Sequence, residues 1–428
     1  GRGCACPAGA MARTCALGIV LGLLAAALAS GAPDCGGILT PAGLGYLAQV
    51  SKQHAETILA QDLMAPRVSD LLLGSPKPTR NQIDSVKVVD LSLSLIPDAG
   101  LRLSIDADLG VVTAPSTSKV VRLSILADLQ VERNPEGNLE LSTTACKPTM
   151  EETQSTEEIC VEVSRLLILP NEQLASLTAQ FPVTPSCQVR YVPLAAPVIS
   201  EQGVTVSLQT TFLVAGVALP LPASPTPFTM PESASAAHLT LALSTHFYTS
   251  FFFALETVGA FNMTLMSPLT TATIAQRISQ MGSLFQEDRP VLLRVAFRSS
   301  PWVVLEEGSA TLKLFLTAHV GIGSPDFQSI LSMNDMSAGL LLSVADVRMM
   351  VSAAAGWGLS GRPPAQAALL EELFVPALRD GVLSEGIYLP HASNFVYTDA
   401  SVVIHKDYVL IPCNLRLQPR SGGQSVVG

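Results

Sequence analysis

The chain has 428 residues and a formal net charge of −10, with 48 % hydrophobic and only 14 % charged residues. Disordered chains combine low apolar content with high charge, so this composition excludes a disordered protein. The acidic balance, with no run of Lys or Arg, argues against a nucleic-acid partner, because such proteins bind by neutralising phosphates. At about 100–200 residues per domain, the length predicts two or three domains.

The first 31 residues have the pattern of a targeting segment. Met11 and Arg13 begin a short positive region, and Ala16 to Ala29 form an unbroken apolar run that ends in small residues. The run is shorter than the roughly 20 residues that span a membrane, so we interpret residues 1–31 as an upstream extension plus a cleaved signal peptide. No other stretch predicts a transmembrane span. We expect a secreted, extracellular protein; retention in the secretory pathway is the alternative.

Cysteine usage agrees with an oxidising compartment. Five cysteines follow the predicted signal peptide: Cys35, Cys146, Cys160, Cys187 and Cys413. Because five is an odd number, at most two disulfides form and one thiol stays free. Their spacing has no metal-binding pattern, and we expect neither a metal nor a cofactor. One N-glycosylation sequon makes Asn262 a glycosylation candidate.

Five prolines within twelve residues divide the chain into two comparable halves: Pro220, Pro222, Pro225, Pro227 and Pro231. Such a stretch forms neither a helix nor an inner strand, and it predicts an extended connector. We therefore expect an N-terminal domain over 33–215, a linker over 216–232, a C-terminal domain over 233–420 and a flexible tail over 421–428.

In the first half, a helix precedes a set of strands. Thr40 and Pro41 have the N-cap and first-turn pattern of a helix that ends near Met64. Mainly apolar residues follow one stripe of this helix at helical spacing: Leu44, Leu47, Ser51, Ala55 and Ile58. A second helix is predicted from Cys160 to about Leu169. Between the helices, apolar and polar residues alternate in three runs, which predict strands with one apolar face: 91–95, 101–109 and 121–131.

The second half repeats this order. A strand over 239–243 leads into a helix that carries Phe247, Phe251 and Leu255. A helix is also predicted over 365–383, among further strands: 291–297, 310–317, 339–344, near Phe395 and 401–411. An apolar sheet face needs a cover, and one amphipathic helix in each half supplies it, so we predict an α+β fold. Where helix and sheet do not close fully, the gap would form an apolar slot.

No motif in the sequence indicates catalysis. The serine-hydrolase elbow, the zinc-protease motif, the dinucleotide fingerprint and the phosphate loop are all missing. The segment Gly358-Leu359-Ser360-Gly361 is one residue short of an elbow and lacks a strand–turn–helix context. We predict that the protein is not an enzyme.

Four segments resemble, in this order, the bactericidal/permeability-increasing (BPI) and lipopolysaccharide-binding superfamily: 37–46, 95–105, 220–231 and 386–390. The chain is most similar to BPI fold-containing family B, the long palate, lung and nasal epithelium (PLUNC) proteins. The resemblance implies a boomerang of two BPI-type domains, each a curved antiparallel sheet or barrel covered by long helices, joined by a central sheet and the proline-rich linker. It also implies a disulfide between Cys146 and Cys160.

The resemblance gives the helix stripes and the inner sheet positions a second interpretation. From the residue pattern alone they are core, whereas the resemblance implies that each domain holds lipid between helix and sheet. The candidate pocket residues are Leu44, Leu47, Ser51, Ala55, Ile58, Leu93, Leu103 and Ile105 in the first half and Phe247, Phe251 and Leu255 in the second.

By resemblance, we expect a secreted protein that sequesters phospholipid or another acyl-chain lipid, with a role in mucosal innate defence. The endotoxin-binding members of the superfamily use a basic cluster at the tip of the N-terminal barrel. Here residues 33–215 contain 12 basic and 20 acidic residues, so we expect neutral or zwitterionic lipids. The alternatives are a surface-active or protein-interaction protein with degenerate pockets, and a carrier of small odorant-like molecules in nasal mucus.

Overall fold

The structure is a computed structural model. It describes residues 31–64, 82–113, 117–150, 157–220, 228–231, 236–261, 264–277, 287–323, 326–354, 372, 376, 378–379 and 383–418. The predicted signal peptide up to residue 30, Asn262 of the sequon, most of the predicted 365–383 helix and the 421–428 tail lie outside the described residues.

The first half of the chain contains, in order, β1 (Cys35–Leu39), α1 (Pro41–Leu63), β2 (Gln82–Ile96), β3 (Gly100–Thr113), β4 (Thr117–Arg133), β5 (Leu139–Met150), α2 (Glu157–Leu166), α3 (Ile168–Ser176), β6 (Gln180–Thr184), β7 (Cys187–Pro193), β8 (Val198–Ser200), β9 (Gly203–Val214) and β10 (Val217–Ala218). The second half contains β11 (Leu239–Ser244), α4 (Thr245–Thr257), β12 (Thr264–Thr270), α5 (Thr271–Arg277), β13 (Pro290–Phe297), β14 (Trp302–Glu306), β15 (Ser309–Ile322), β16 (Gln328–Ala345), β17 (Arg348–Ala353), β18 (Ile387–Tyr388), β19 (Phe395–Thr398), β20 (Val403–His405) and β21 (Tyr408–Leu417).

Helix α1 begins where the sequence predicts. The backbone of Thr40 is extended, and its hydroxyl accepts a hydrogen bond from the Gly43 N–H at 3.2 Å, which satisfies one of the free donors of the first turn. Pro41 occupies the first turn, where no intrahelical donor is needed. The helix ends at Leu63, one residue from the predicted end.

The strands β2, β3, β4 and β5 form an antiparallel sheet in that order. Their side chains alternate between buried and exposed, with Leu103 and Ile105 of β3 on the buried face. Helix α1 packs along the β2 edge, where the Glu56 carboxylate accepts a hydrogen bond from the Val88 N–H at 2.9 Å. This contact gives a backbone N–H on the edge strand β2 a hydrogen-bond partner, and it holds α1 over the apolar face of the sheet.

The predicted second helix is two helices that meet at Leu167, α2 and α3. The expected disulfide joins Cys146 of β5 to Cys160 of α2. Asn171 of α3 extends the attachment to the sheet, because its side-chain amide exchanges two hydrogen bonds with the Leu141 backbone, at 2.7 and 3.0 Å. Both helices are thereby fastened to the β5 edge.

A central antiparallel sheet combines strands from both halves, in the order β19-β21-β11-β1-β9-β7-β6. Strand β1 lies in the middle, with Cys35 opposite Leu208 of β9 on one side and Leu243 of β11 on the other. Residues 217 and 218, expected in the linker, pair with β9 as β10. The two halves are therefore joined by shared backbone pairing.

The second half has its own sheet, in the order β12-β13-β15-β16-β17-β18, with β14 beside β15. Helix α4 packs between this sheet and the central sheet. Four of its aromatic residues, Phe247, Tyr248, Phe251 and Phe252, are buried, and Phe253 is half-buried. The predicted α+β fold, with one sheet and covering helices in each half and a central sheet between them, is confirmed.

Candidate functional site

A cavity of about 560 Å³ lies between α1, the β2–β5 sheet and the central sheet. Its walls are almost entirely aliphatic. Helix α1 contributes Leu44, Leu47, Val50, Ser51, His54 and Ala55, and the β2–β5 sheet contributes inward residues that include Leu91, Leu93, Leu103, Ile105, Leu129 and Leu141. The volume is within the ~300–1,000 Å³ typical of sites for small ligands.

The structure brings seven of the predicted pocket residues together around this cavity: Leu44, Leu47, Ser51, Ala55, Leu93, Leu103 and Ile105. Ile58 packs against the neighbouring core instead of lining the cavity. Phe247, Phe251 and Leu255 lie in a separate buried core around α4. None of these three residues lines this cavity, and the pocket expected in the second half remains a prediction.

One stripe of α1 serves both as core and as cavity wall. Leu44 and Ala55 are buried, whereas Leu47 and Ser51, which lie between them at helical spacing, are half-buried and face open space. The helical period therefore identifies the face of α1 that packs inward, and its role in binding a ligand remains a prediction.

The sequence analysis missed the lining residues of the central sheet, which are Leu39, Val204, Val206, Leu208, Leu239 and Leu241, and two further parts of the wall. The junction of α2 and α3 contributes Leu166, Leu167, Leu169, Pro170, Gln173, Leu174 and Leu177, and the C-terminal segment contributes His391, Asn394, Phe395, Leu415, Leu417 and Gln418. The leucine-rich run at 166–169 was a local signal for the first group. The second group is more than 200 residues from α1 and comes into place because β21 pairs with β11.

The polar side chains that line the cavity carry amide, hydroxyl and imidazole groups. The lining includes Ser51, His54, Gln173, His391, Asn394 and Gln418, but no Lys, Arg, Asp or Glu among the described residues. The Nδ1 atom of His391 donates a hydrogen bond to the Leu389 carbonyl oxygen at 2.8 Å, and burial lowers the pKa of His391. The imidazole is therefore neutral, with its second nitrogen left as an acceptor.

Two arginines on the outer face of the β2–β5 sheet are paired with carboxylates. Arg102 lies 2.8 Å from Asp128, and Arg122 lies 2.8 Å from Asp108. Both pairs are exposed and stabilise the fold little. In each pair, however, the aspartate neutralises the positive charge of the arginine.

Comparisons with known proteins place the chain in a family. No family model matches it. It is 24 % identical over 460 residues to BPI fold-containing family B member 2 of Homo sapiens and 26 % identical over 466 residues to the same protein of Mus musculus, covering 95 % of this chain and all of each relative. It is also 54 % identical over 437 residues to protein TENP of Gallus gallus, covering 94 % of this chain and 99 % of that protein. The chain belongs to BPI fold-containing family B.

The fold of this family B member is similar to that of a protein whose structure has been solved. The crystal structure of lipopolysaccharide binding protein matches it with a TM-score of 0.55 at 15 % identity, over 91 % of this chain and all of that one. This likeness shows the BPI fold. In the part of the chain that the structure describes, no helix is long and apolar enough to cross a membrane.

Proposed function

We propose that this family B member is a secreted protein that binds lipid by burying acyl chain in the cavity between α1 and the β2–β5 sheet. The observation that carries the proposal is the aliphatic lining, which has no charged residue among those described. Each methylene that leaves water for such a site is stabilised by about 0.8 kcal/mol, so a long acyl chain gains enough to bind.

Secretion is supported by two features. The apolar run from Ala16 to Ala29 has the length and flanks of a signal peptide. The disulfide between Cys146 and Cys160 is of the kind that persists in oxidising compartments. We further propose that lipid sequestration serves mucosal innate defence, as the resemblance to the BPI superfamily implies.

Native mass spectrometry of the full-length protein, purified without detergent, tests lipid binding. We expect a co-purifying lipid of defined mass that is released on denaturation. Leu47→Asp should lose it, because the variant places a carboxylate in the apolar wall. Gln49→Asp is the matched control, since it puts the same charge on an exposed position of the same helix.

The outcomes separate the proposed function from its alternatives. Lipid-free protein that rejects added acyl-chain lipid and lowers interfacial tension would overturn the proposal in favour of a surface-active protein. Exclusive binding of small volatile hydrophobes would favour the odorant carrier. Equal lipid binding by wild type and Leu47→Asp would place the lipid elsewhere.

A further inference from the structure

His391 lies in the cavity wall where the two halves of the chain meet. Its ring centroid is 4.8 Å from that of Phe181 on β6 and 5.8 Å from that of Tyr388 on β18. The hydroxyl of Tyr191 on β7 donates to the Tyr388 carbonyl oxygen and joins this group to the central sheet. We call Phe181, Tyr388 and His391 the ring cluster. It holds the half-buried imidazole in one position at the cavity.

The hydrogen bonding of His391 suits a neutral imidazole. Its Nδ1 atom is 2.8 Å from the Leu389 carbonyl oxygen, which is its one hydrogen-bond partner among the described residues. A carbonyl only accepts, so the proton lies on Nδ1 and Nε2 carries none. Protonation would add an N–H at Nε2, and the described residues supply no acceptor for it. A charged donor left unpaired beside an apolar wall is unfavourable.

The charges beside the ring cluster also oppose an imidazolium. The guanidinium of Arg348 lies over the Tyr388 ring, 4.0 Å from its centroid. Its carboxylate partner, Glu385, is 3.1 Å from it and is exposed. Within the described part of the lining there is no Asp or Glu. A protonated His391 would therefore lie near a cation and without a carboxylate partner.

The other titratable groups around the cavity supply no countercharge. Tyr397 lines the cavity, and burial raises its pKa, so its phenol is neutral. Glu172 of α3 and Arg416 of β21 are exposed and do not line the cavity. His54 of α1 is the second lining histidine, but among the described residues it has neither a hydrogen bond nor a ring contact that fixes it. His391 is thus the lining histidine that the fold holds in place.

We infer that protonation of His391 weakens lipid binding in the cavity, so that the protein releases its lipid on acidification. The inference rests on the proposed function, since it describes the regulation of the same cavity. Acyl chain that fills the cavity excludes water from the exposed part of the imidazole. The charged form is therefore less favourable in the lipid-bound protein than in the empty one.

Linkage fixes the direction of the effect. Affinity is complete while His391 is neutral and falls as the pH drops below its pKa in the empty protein. Burial lowers this pKa from its ordinary value of 6.5, with partial opposition from the hydrogen bond to Leu389, so the loss occurs on the acidic side of neutrality. Glu162 of α2 acts in the opposite sense, because burial raises its pKa and its carboxyl group ionises as the pH rises.

Lipid capture from vesicles at two pH values tests the inference. The full-length protein, at increasing concentration, is incubated with dense vesicles that contain tritiated dioleoylphosphatidylcholine, whose own charges do not change in this range. Tritium left in the supernatant after sedimentation measures the captured lipid. We expect the wild-type affinity to be at least about threefold weaker at about pH 5 than at about pH 7.5.

Two variants remove the titrating group. His391→Phe keeps an aromatic ring beside Phe181, and His391→Gln keeps a donor for the Leu389 carbonyl oxygen. Their affinities at the two pH values should agree within about 1.5-fold. The matched control is His405→Gln, because His405 lies outside the cavity, 3.3 Å from Glu307. It should keep the wild-type ratio.

The outcomes separate this inference from the proposed function. A smaller pH effect in the wild-type protein, or the wild-type ratio in both His391 variants, would overturn the inference and leave lipid binding intact. Loss of the pH effect in His54→Gln alone would assign it to α1 and would equally overturn the role of His391. No capture of lipid at either pH would overturn the proposed function itself.

Discussion

Glu162 of α2 and Asp62 of α1 share a hydrogen bond where the two helices meet beside the cavity. Arg165 lies 2.6 Å from Asp62 and 3.2 Å from Glu162. Burial, together with the hydrogen bond to Asp62 and its negative charge, raises the pKa of Glu162 to about 7. The same hydrogen bond lowers the pKa of Asp62. The proton therefore resides on Glu162, which donates to the Asp62 carboxylate.

This pair predicts that stability falls as the pH rises through neutrality. The pKa of Glu162 is higher in the folded state than its ordinary value of 4.5. Its contribution is therefore complete below about pH 4.5 and is lost as the pH rises through about 7. At roughly 2.1 cal/mol/K of unfolding entropy per residue, a loss of about 1 kcal/mol lowers Tm by about 1 °C in a chain of 428 residues. Thermal unfolding followed by circular dichroism between about pH 6 and pH 8 measures the change.

Two variants isolate the contribution of Glu162. Glu162→Gln donates the same hydrogen bond to Asp62 without titrating, so its Tm should vary less with pH and exceed that of wild type at the alkaline end. Glu140→Gln, on an exposed position of β5, should keep the wild-type slope. A wild-type slope in Glu162→Gln would show that other groups cause the pH dependence.

Removal of the disulfide should lower both stability and lipid affinity. The bridge spans 14 residues in sequence, and a closed loop of this length stabilises a fold by about 3 kcal/mol in the chain-entropy model. The double variant Cys146→Ser/Cys160→Ser should unfold at correspondingly lower urea concentration, and it should bind lipid more weakly because α2 carries Leu166 of the cavity wall. A reducing agent should shift the wild-type urea midpoint toward that of the double variant and leave the latter unchanged.

The elements predicted correctly from sequence are those with a local periodic signal. The stripe of α1 and the alternation of β3 and β4 repeat over many residues, and each repeat is visible without knowledge of the partner. Strand β1 was missed, since it has only five residues and includes Gly36 and Gly37. A Cβ on Gly36 would lie 2.4 Å from the Val206 carbonyl oxygen, so tertiary packing rather than strand propensity selects glycine there.

Only part of the cavity wall could be predicted from sequence, because the rest has no local periodic signal. Leu47 and Leu103 lie on faces that sequence periodicity identifies. His391 and Leu417 reach the cavity through long-range strand pairing, for which an isolated sequence gives no signal. Phe251 has the correct helical spacing, yet its ring packs in a closed core, 6.4 Å from that of Phe212. Periodicity identifies a buried face but does not distinguish a filled core from a cavity.

Substitution in the α4 core should separate stability from lipid binding. Phe251→Leu shortens a buried side chain, and we expect a loss of about 1–2 kcal/mol, below the roughly 3–5 kcal/mol of a change to alanine. Affinity for the co-purifying lipid should stay within about twofold of wild type, because no described residue of α4 lines the cavity. Urea unfolding and native mass spectrometry measure the two effects. A parallel loss of lipid would indicate a ligand site in the second half.

Among the described residues, the three cysteines outside the disulfide, Cys35, Cys187 and Cys413, should be unreactive in the folded protein. Burial raises the pKa of Cys187 to about 11 and that of Cys413 to about 12. Burial, assisted by the negative charge of Asp34, also raises the pKa of Cys35. At about pH 8 all three are thiols, whereas alkylation requires the thiolate. Peptide mapping after iodoacetamide treatment should find them unmodified in the native protein and modified in concentrated guanidinium chloride. Labelling of Cys187 in native protein would contradict its burial.

Lipopolysaccharide should bind weakly, and salt should have little effect on lipid binding. Arg102 and Arg122 are already paired with Asp128 and Asp108, and the first half carries eight more acidic than basic residues, 20 against 12. Such a surface offers few free cations for lipid phosphates, so few ion pairs form that salt could screen. Titrations of a zwitterionic phospholipid and of lipopolysaccharide at low and physiological salt measure both affinities. The double variant Asp108→Asn/Asp128→Asn, which frees both arginines, should gain lipopolysaccharide binding that weakens with salt. Tight, steeply salt-dependent binding by the wild-type protein would contradict this prediction.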